Sequence, residues 1–347
     1  MTEQAKQRRA TLATVAESAG VSVATVSKVL NGRIGVGAET RALVEDLLQQ
    51  HEYSASAPQR TEPAAHPTVE VGVDGPLVAY SSEVIQGVID EGTNLGVDVV
   101  VSTNVGRAGN KPTERPVAWA RTLVAARRRA FIALTSELTT AHMTALGRAN
   151  LPVVIVDPLT MPHTRVTSVG ATNFTGGLTA TKHLLALGHR RIAYIGGPRS
   201  AACNQARLHG YRAALEAEGA PAPPDYVTSG RFDYDNGVAK GAAVLALAEP
   251  PTAIFAGSDE VALGVIEAAR LRGLRVPEDL SVVGFDDTQL ARMASPPLTT
   301  VRQPLREIGG VALRTALRLA AGETIESHHV ELATTLVVRG STAAPGA

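Results

Sequence analysis

Gly20-Val21-Ser22-Val23-Ala24-Thr25-Val26-Ser27-Lys28-Val29-Leu30-Asn31 reads as the turn and second helix of a helix-turn-helix. Ser22 is placed to cap the helix by accepting a bond from a free backbone N–H. Val26, Val29 and Leu30 fall on one face at i, i+3, i+4 spacing and pack inward. Val23, Ala24, Thr25, Ser27 and Lys28 then face outward. Asn31-Gly32 ends the helix with residues that tolerate positive φ. A helix with so small an N-terminal surface fits the major groove, where base edges are distinguishable.

The preceding stretch, Thr11-Leu-Ala-Thr-Val-Ala-Glu-Ser-Ala19, is a second short amphipathic helix capped by Thr11, with Leu12, Val15, Ala16 and Ala19 as its stripe. Gly20 supplies the tight joint between the two. Glu39 to Gln50 make a third helix, with Leu43, Leu47 and Leu48 pointing inward. Lys6, Arg8, Arg9, Lys28 and Arg33 outnumber Glu3 and Glu17 in the first 35 residues, an excess that favours phosphate contact.

The run from Thr11 to Gly32, continued through Glu39-Thr40-Arg41 to Tyr53, resembles the headpiece of the lactose-repressor (LacI/GalR) family of transcription regulators. The resemblance extends along the chain in Leu187-Gly-His-Arg-Arg-Ile-Ala-Tyr-Ile-Gly-Gly197, Pro251-Thr-Ala-Ile-Phe-Ala-Gly-Ser-Asp259, Val276-Pro-Glu-Asp-Leu-Ser-Val-Val-Gly-Phe-Asp-Asp287 and Pro297-Leu-Thr-Thr-Val-Arg-Gln303. It implies a helix-turn-helix headpiece over residues 1–53, a linker over 54–68, and an effector-binding and dimerisation core over 69–347. In the family the linker folds on DNA as a hinge helix whose leucine enters the minor groove. Here Pro58 interrupts it and Glu62 stands near the leucine position, and an acidic side chain will not intercalate a base step.

From Val69 onward the pattern alternates Val/Ile-rich strands with amphipathic helices, the signature of a parallel sheet covered on both faces. The rhythm restarts after residue 175. Two α/β subdomains follow, with a ligand cleft at the carboxyl ends of their strands. The fold class is α/β, and the resemblance implies a core like a type I periplasmic binding protein. The chain is expected to cross between subdomains near residues 158–170, 287–297 and 322–330.

A sugar offers several hydroxyls and apolar ring faces, so its site needs carboxylates, amides, a guanidinium fork and a flat apolar surface. The resemblance places Asp157, Arg207, Phe232, Ser258 and Asp286 in that pocket, with Gln303 as a further candidate. Asp259 and Asp287 fit ligand contact or helix capping equally. On the DNA side it assigns base contacts to Val23, Ala24 and Lys28, and phosphate contacts to Thr11, Ser22, Thr25, Ser27, Asn31 and Tyr53. Trp119 is read as packing, Cys203 as a small buried filler, and Arg127-Arg128-Arg129 as a solvated helix end.

Composition bounds the rest. The 347 residues suit two or three domains. Charge is balanced, 33 Lys and Arg against 33 Asp and Glu, so no global field advertises nucleic acid. A single cysteine excludes an intrachain disulfide. The nine histidines show no metal-ligand spacing, and no metal or cofactor is expected. No apolar run approaches about 18 residues, so a cytoplasmic protein without membrane contact is expected. The reading is a homodimeric repressor of carbohydrate-utilisation genes that binds a pseudo-palindromic operator and is released by a sugar effector. The tail after Ala333 lacks leucine heptads, which argues for a dimer. A purine-dependent co-repressed regulator is the alternative. A transport-type sugar-binding protein or a glycosidase is disfavoured by the headpiece and by the lack of a nucleophile motif.

Overall fold

A computed structural model describes residues 12–30, 35–50, 66–103, 107–108, 111–112, 115–136, 138–158 and 166–346. The chain divides into two units, at Ala65 and His66.

In the first unit, α1 (Leu12–Ser18), α2 (Val23–Leu30) and α3 (Ala38–Gln50) bury Val15, Ala16, Val26, Val29 and Val44 in one small core. Gly20 joins α1 to α2 at φ +63, a left-handed conformation that costs glycine little. Its N–H donates to the Glu17 carbonyl while that of Val21 reaches the Ala16 carbonyl, closing α1. Ser22 caps α2, its Oγ accepting from the Thr25 N–H at 3.1 Å. Ser22, Val23, Ala24 and Lys28 are exposed, and Thr25 and Ser27 are half-buried. One expectation fails here. Leu43 is 49% exposed and Val44 fully buried, because Val44, Leu47 and Leu48 keep the i, i+3, i+4 spacing that a stripe starting at Leu43 breaks. Thr11, Asn31 and Tyr53 lie outside the described residues, as do Pro58, Glu62 and most of the linker.

The second unit opens with β1 (Thr68–Val73), α4 (Ala79–Leu95), β2 (Asp98–Thr103), a ribbon of β3 (Arg107–Ala108) and β4 (Lys111–Pro112), α5 (Pro116–Ala125), β5 (Arg128–Leu134), α6 (Thr140–Arg148), β6 (Val153–Val156) and β7 (Thr167–Ala171). It continues with α7 (Asn173–Ala186), β8 (Ile192–Gly196), α8 (Ala202–Ala217), β9 (Val227–Ser229), α9 (Tyr234–Val244), β10 (Ala253–Ala256), α10 (Asp259–Leu271), β11 (Ser281–Asp286), α11 (Gln289–Met293) and β12 (Thr299–Arg302). The last elements are α12 (Leu305–Ala320), β13 (His329–Leu332) and β14 (Thr335–Val337).

Two six-stranded sheets result, ordered β13-β7-β6-β5-β1-β2 and β14-β12-β11-β10-β8-β9. The first is parallel throughout, and the second is parallel apart from its edge strand β14. Central strands such as Val153-Val-Ile-Val156 and Ala253-Ile-Phe-Ala256 are apolar on both faces because helices cover both.

The three crossings fall later than expected, at residues 172, 303–304 and 333–334, each after an extra strand of the subdomain being left. Those strands, β7, β12 and β13, are short and rich in Thr, Ser, Gly and His, so they carry little of the Val/Ile signal by which strands are read. The three arginines also differ from their reading. Arg127 occupies a turn at φ +56, and Arg128 begins β5, where its Nε donates to Glu70 at 2.9 Å. Trp119 packs edge-on against Phe131, ring centroids 5.2 Å apart. No described helix is long and apolar enough to cross a membrane.

Candidate functional site

The carboxyl ends of the two sheets face each other across a cavity of about 290 Å³. Its first wall comes from the end of β1, the start of α4, and the residues that follow β5 and β6, among them Asp74, Tyr80, Thr135 and Asp157. Its second wall comes from the loops and helix starts around β8, β9, β10 and β11, among them Cys203, Arg207, Phe232, Ser258, Asp259 and Asp286. Thr135, Asp157 and Asp286 all have positive φ, at 48, 45 and 113. Such backbone is costly in non-glycine residues and clusters at functional sites.

On the first wall, the Tyr80 phenol donates a short hydrogen bond to Asp157 Oδ2. Burial pushes the Asp157 carboxyl above its ordinary value, opposed by the Tyr80 hydrogen bond and by Arg207. Burial, with Asp157 beside it, likewise raises the Tyr80 phenol.

On the second wall, Arg207 is almost fully buried. Its Nε donates to Asn173 Oδ1 at 2.8 Å and its Nη1 to the Gly257 carbonyl at 2.6 Å. Nη1 also lies 3.7 Å from Asp286 Oδ1. The guanidinium stacks on Phe285, 3.8 Å from the ring centroid, and stands 5.5 Å from that of Phe232. Burial raises the Asp286 carboxyl despite Arg207, and Asp259 adds to the rise. At the rim, the Ala79 N–H donates to Glu260 Oε1 at 3.4 Å, linking the two walls.

Five of the six expected pocket residues therefore line one cavity: Asp157, Arg207, Phe232, Ser258 and Asp286. Ser258 also caps α10, its Oγ accepting from the Val261 N–H at 3.2 Å. Gln303 stands behind the wall, its Nε2 donating to Asp286 Oδ1 at 2.6 Å. Of the two ambiguous aspartates, neither caps a helix. Asp259 accepts from the Thr288 N–H and hydroxyl and from the Thr300 hydroxyl, and its pKa is pushed by burial up to about 7. Asp287 is paired with Arg302 and Arg339, both at 2.6 Å. Cys203 is more than a filler: it lines the cavity, where burial pushes its thiol up to about 11.

Two family models match this chain. Residues 11–56 match the description "Bacterial regulatory proteins, lacI family", and residues 181–342 match "Periplasmic binding protein-like domain". Catabolite control protein A of Priestia megaterium is 32% identical over 335 residues, spanning 96% of this chain and 99% of that protein. The chain belongs to the lacI family. The regulator CelR of Thermobifida fusca is 34% identical over 356 residues, covering 97% of this chain and 99% of its own. Among solved structures, a CelR–cellobiose complex superposes with a TM-score of 0.71 at 33% identity, covering 96% of this chain and all of that one. A lac repressor dimer bound to operator and the anti-inducer ONPF gives 0.70 at 29% identity, covering 97% and 100%. As a lacI-family member this protein is a DNA-binding transcriptional regulator.

Membership explains the helix-turn-helix and the two-walled cleft together. It does not by itself single out Tyr80, which sequence reasoning missed. Tyr80 sits at the start of α4, and its partner Asp157 is 77 residues away, so no local pattern ties them. Asp74, Thr135, Arg231 and Thr288 also line the cleft. Their strand-end positions were the available signal, since each follows β1, β5, β9 or β11 within a few residues.

Proposed function

We propose that this lacI-family regulator is a homodimeric repressor of carbohydrate-utilisation genes, released from its operator when a sugar enters the cleft. The observation that carries this reading is the composition of the cleft. Asp157 and Asp286 on opposite walls supply hydroxyl acceptors, Arg207 a buried guanidinium, and Phe232 an apolar ring face. A sugar bridging both walls favours one relative orientation of the subdomains, and by linkage that orientation alters DNA affinity. The paired carboxylates act here as binding groups, and no catalytic role is assigned to them.

The exposed Val23, Ala24 and Lys28 of α2 would meet base edges, while Ser22, Thr25 and Ser27 would set the register on phosphates. Two such headpieces related by a two-fold axis call for a roughly palindromic operator. The relative that holds cellobiose makes β-linked disaccharides the first probes to try.

The test is a thermal-shift screen of the full-length protein against pentoses, hexoses, β-linked disaccharides and purines. A ligand at about 100 times its dissociation constant stabilises by roughly 2.7 kcal/mol. The expected result is a sugar hit that is lost in Phe232→Ala and that lowers operator affinity in a mobility-shift assay. A purine hit that raises operator affinity replaces this reading with co-repression, and hydrolysis of a bound glycoside overturns it.

A further inference from the structure

A second and larger cavity lies outside the cleft, on the far side of α8. Its volume is about 570 Å³, within the range of small-molecule sites. It is walled by α8, by the loop before β9 and by β9 itself, the edge strand of its sheet. Leu208, Leu215 and Val227 give it an apolar floor, and Arg199 and Arg212 stand at its margin. Both arginines are exposed, and neither is ion-paired with a described residue. Glu216 is the one carboxylate among its lining residues. The cleft has the opposite balance, with two arginines against six Asp and Glu.

Asn204 adds a fixed polar group. It is 1% exposed and lines this cavity. Its Oδ1 accepts from the Tyr194 hydroxyl at 2.8 Å and the Gly197 N–H at 2.9 Å, which sets the carboxamide in place with the donors of Nδ2 unspent by those bonds. A carboxamide held in place, two guanidinium groups against one carboxylate and an apolar floor together select an anion with an apolar body.

We infer that this cavity is a binding site for a small organic anion, a phosphate or carboxylate on an apolar frame, separate from the effector cleft. The two sites share α8: Cys203 and Arg207 line the cleft, and Asn204, Leu208 and Arg212 line the outer cavity. The loop between them is shared too, Pro198 facing the cleft and Arg199 the outer cavity.

The experiment is isothermal titration of the full-length protein with phenyl phosphate and with benzoate at constant ionic strength. Wild type is compared with Arg199→Gln, Arg212→Gln, the double variant, and Arg231→Gln as a control on the cleft side. The expected result is saturable binding below about 1 mM for at least one probe. It should weaken about tenfold in the double variant and by less in each single one, and stay unchanged in Arg231→Gln. Tighter binding of phenyl phosphate assigns the anion as a phosphate, and tighter binding of benzoate as a carboxylate. Absence of saturable binding by both probes, equal binding by the double variant, or loss in Arg231→Gln each overturns the site. Both arginines are exposed, so an unchanged thermal midpoint is the folding control.

Discussion

Asp157 and Asp286 occupy equivalent places. Each follows or ends the third strand of its sheet order, β6 in one and β11 in the other. Each is buried, in left-handed backbone, and faces the same cavity. Their support differs. Asp157 is held by a neutral phenol that comes from α4 of its own subdomain. Asp286 is held by a buried guanidinium and a buried carboxamide, and that guanidinium is itself fixed by Asn173, the Gly257 carbonyl and Phe285. The first-wall carboxylate rests on the one side-chain hydrogen bond from Tyr80. The second wall is a connected network centred on Arg207, whose removal takes a partner from Asp286, Asn173 and the Gly257 carbonyl at once.

The sharpest way to break this contrast is Arg207→Met. It strips the cation from Asp286 and the donors from Asn173 and the Gly257 carbonyl, and the expected loss is about 3–5 kcal/mol in urea denaturation. A loss no larger than that of a first-wall substitution would show the two walls to be energetically alike.

A titration sharpens the comparison further. Asp259 stands beside Asp286 on the second wall, and its carboxyl is pushed up to about 7, against roughly 3.9 in an unfolded chain. The folded protein therefore keeps a proton that the unfolded chain has lost. The stability this contributes is complete below about pH 4 and is lost as pH rises through about 7. Thermal or urea stability of wild type should fall across that window, and Asp259→Asn should flatten the fall. A profile unaltered by Asp259→Asn would remove this carboxylate from the account.

On the first wall, Tyr80→Phe deletes a single hydrogen bond to a carboxylate, and the expected loss is about 1–3 kcal/mol by the same denaturation. Gly170→Ala probes the same carboxylate from the β7 side. A Cβ there would lie 2.7 Å from Asp157 Oδ1, and moving the carboxylate aside should cost about 1–2 kcal/mol. Placed together, Tyr80→Phe and Gly170→Ala should cost less than their sum, because both act on one carboxylate. Full additivity would mean that Gly170 acts elsewhere.

The sequence reveals what a short pattern encodes. The Ser22 cap, the joint glycine and the apolar stripes of the headpiece were legible because they lie within some 40 residues, and the slip of Leu43 for Val44 was a matter of a single position in helical phase. The resemblance placed Asp157, Arg207, Ser258 and Asp286 in the pocket, in keeping with a cleft at the carboxyl ends of the strands. What stayed hidden depends on distant pairing. Tyr80 acquires its role only when α4 meets the end of β6, and Gln303 only when the second crossing passes behind Asp286. The outer cavity was illegible for the same reason. Arg199 and Arg212 look like ordinary surface charges until β9 and the loop before it close the space beside α8.

The crossings at 172, 303–304 and 333–334 also govern how the chain can be made. The apolar core of the first subdomain includes Leu305, Ile308, Ala312, Leu313 and Ala316 of α12, and its sheet is completed by β13 beside β7. A nascent chain emerging from the ribosome therefore presents β1 to β7 with one face covered by α4 alone until residues beyond 316 arrive. Over that interval the second subdomain is being synthesised, and its own edge strand β14 comes last. Neither half can finish folding as an independent domain during synthesis. The part of that face over β5, β6 and β7, which α12 covers in the finished fold, is the surface on which a chaperone would act.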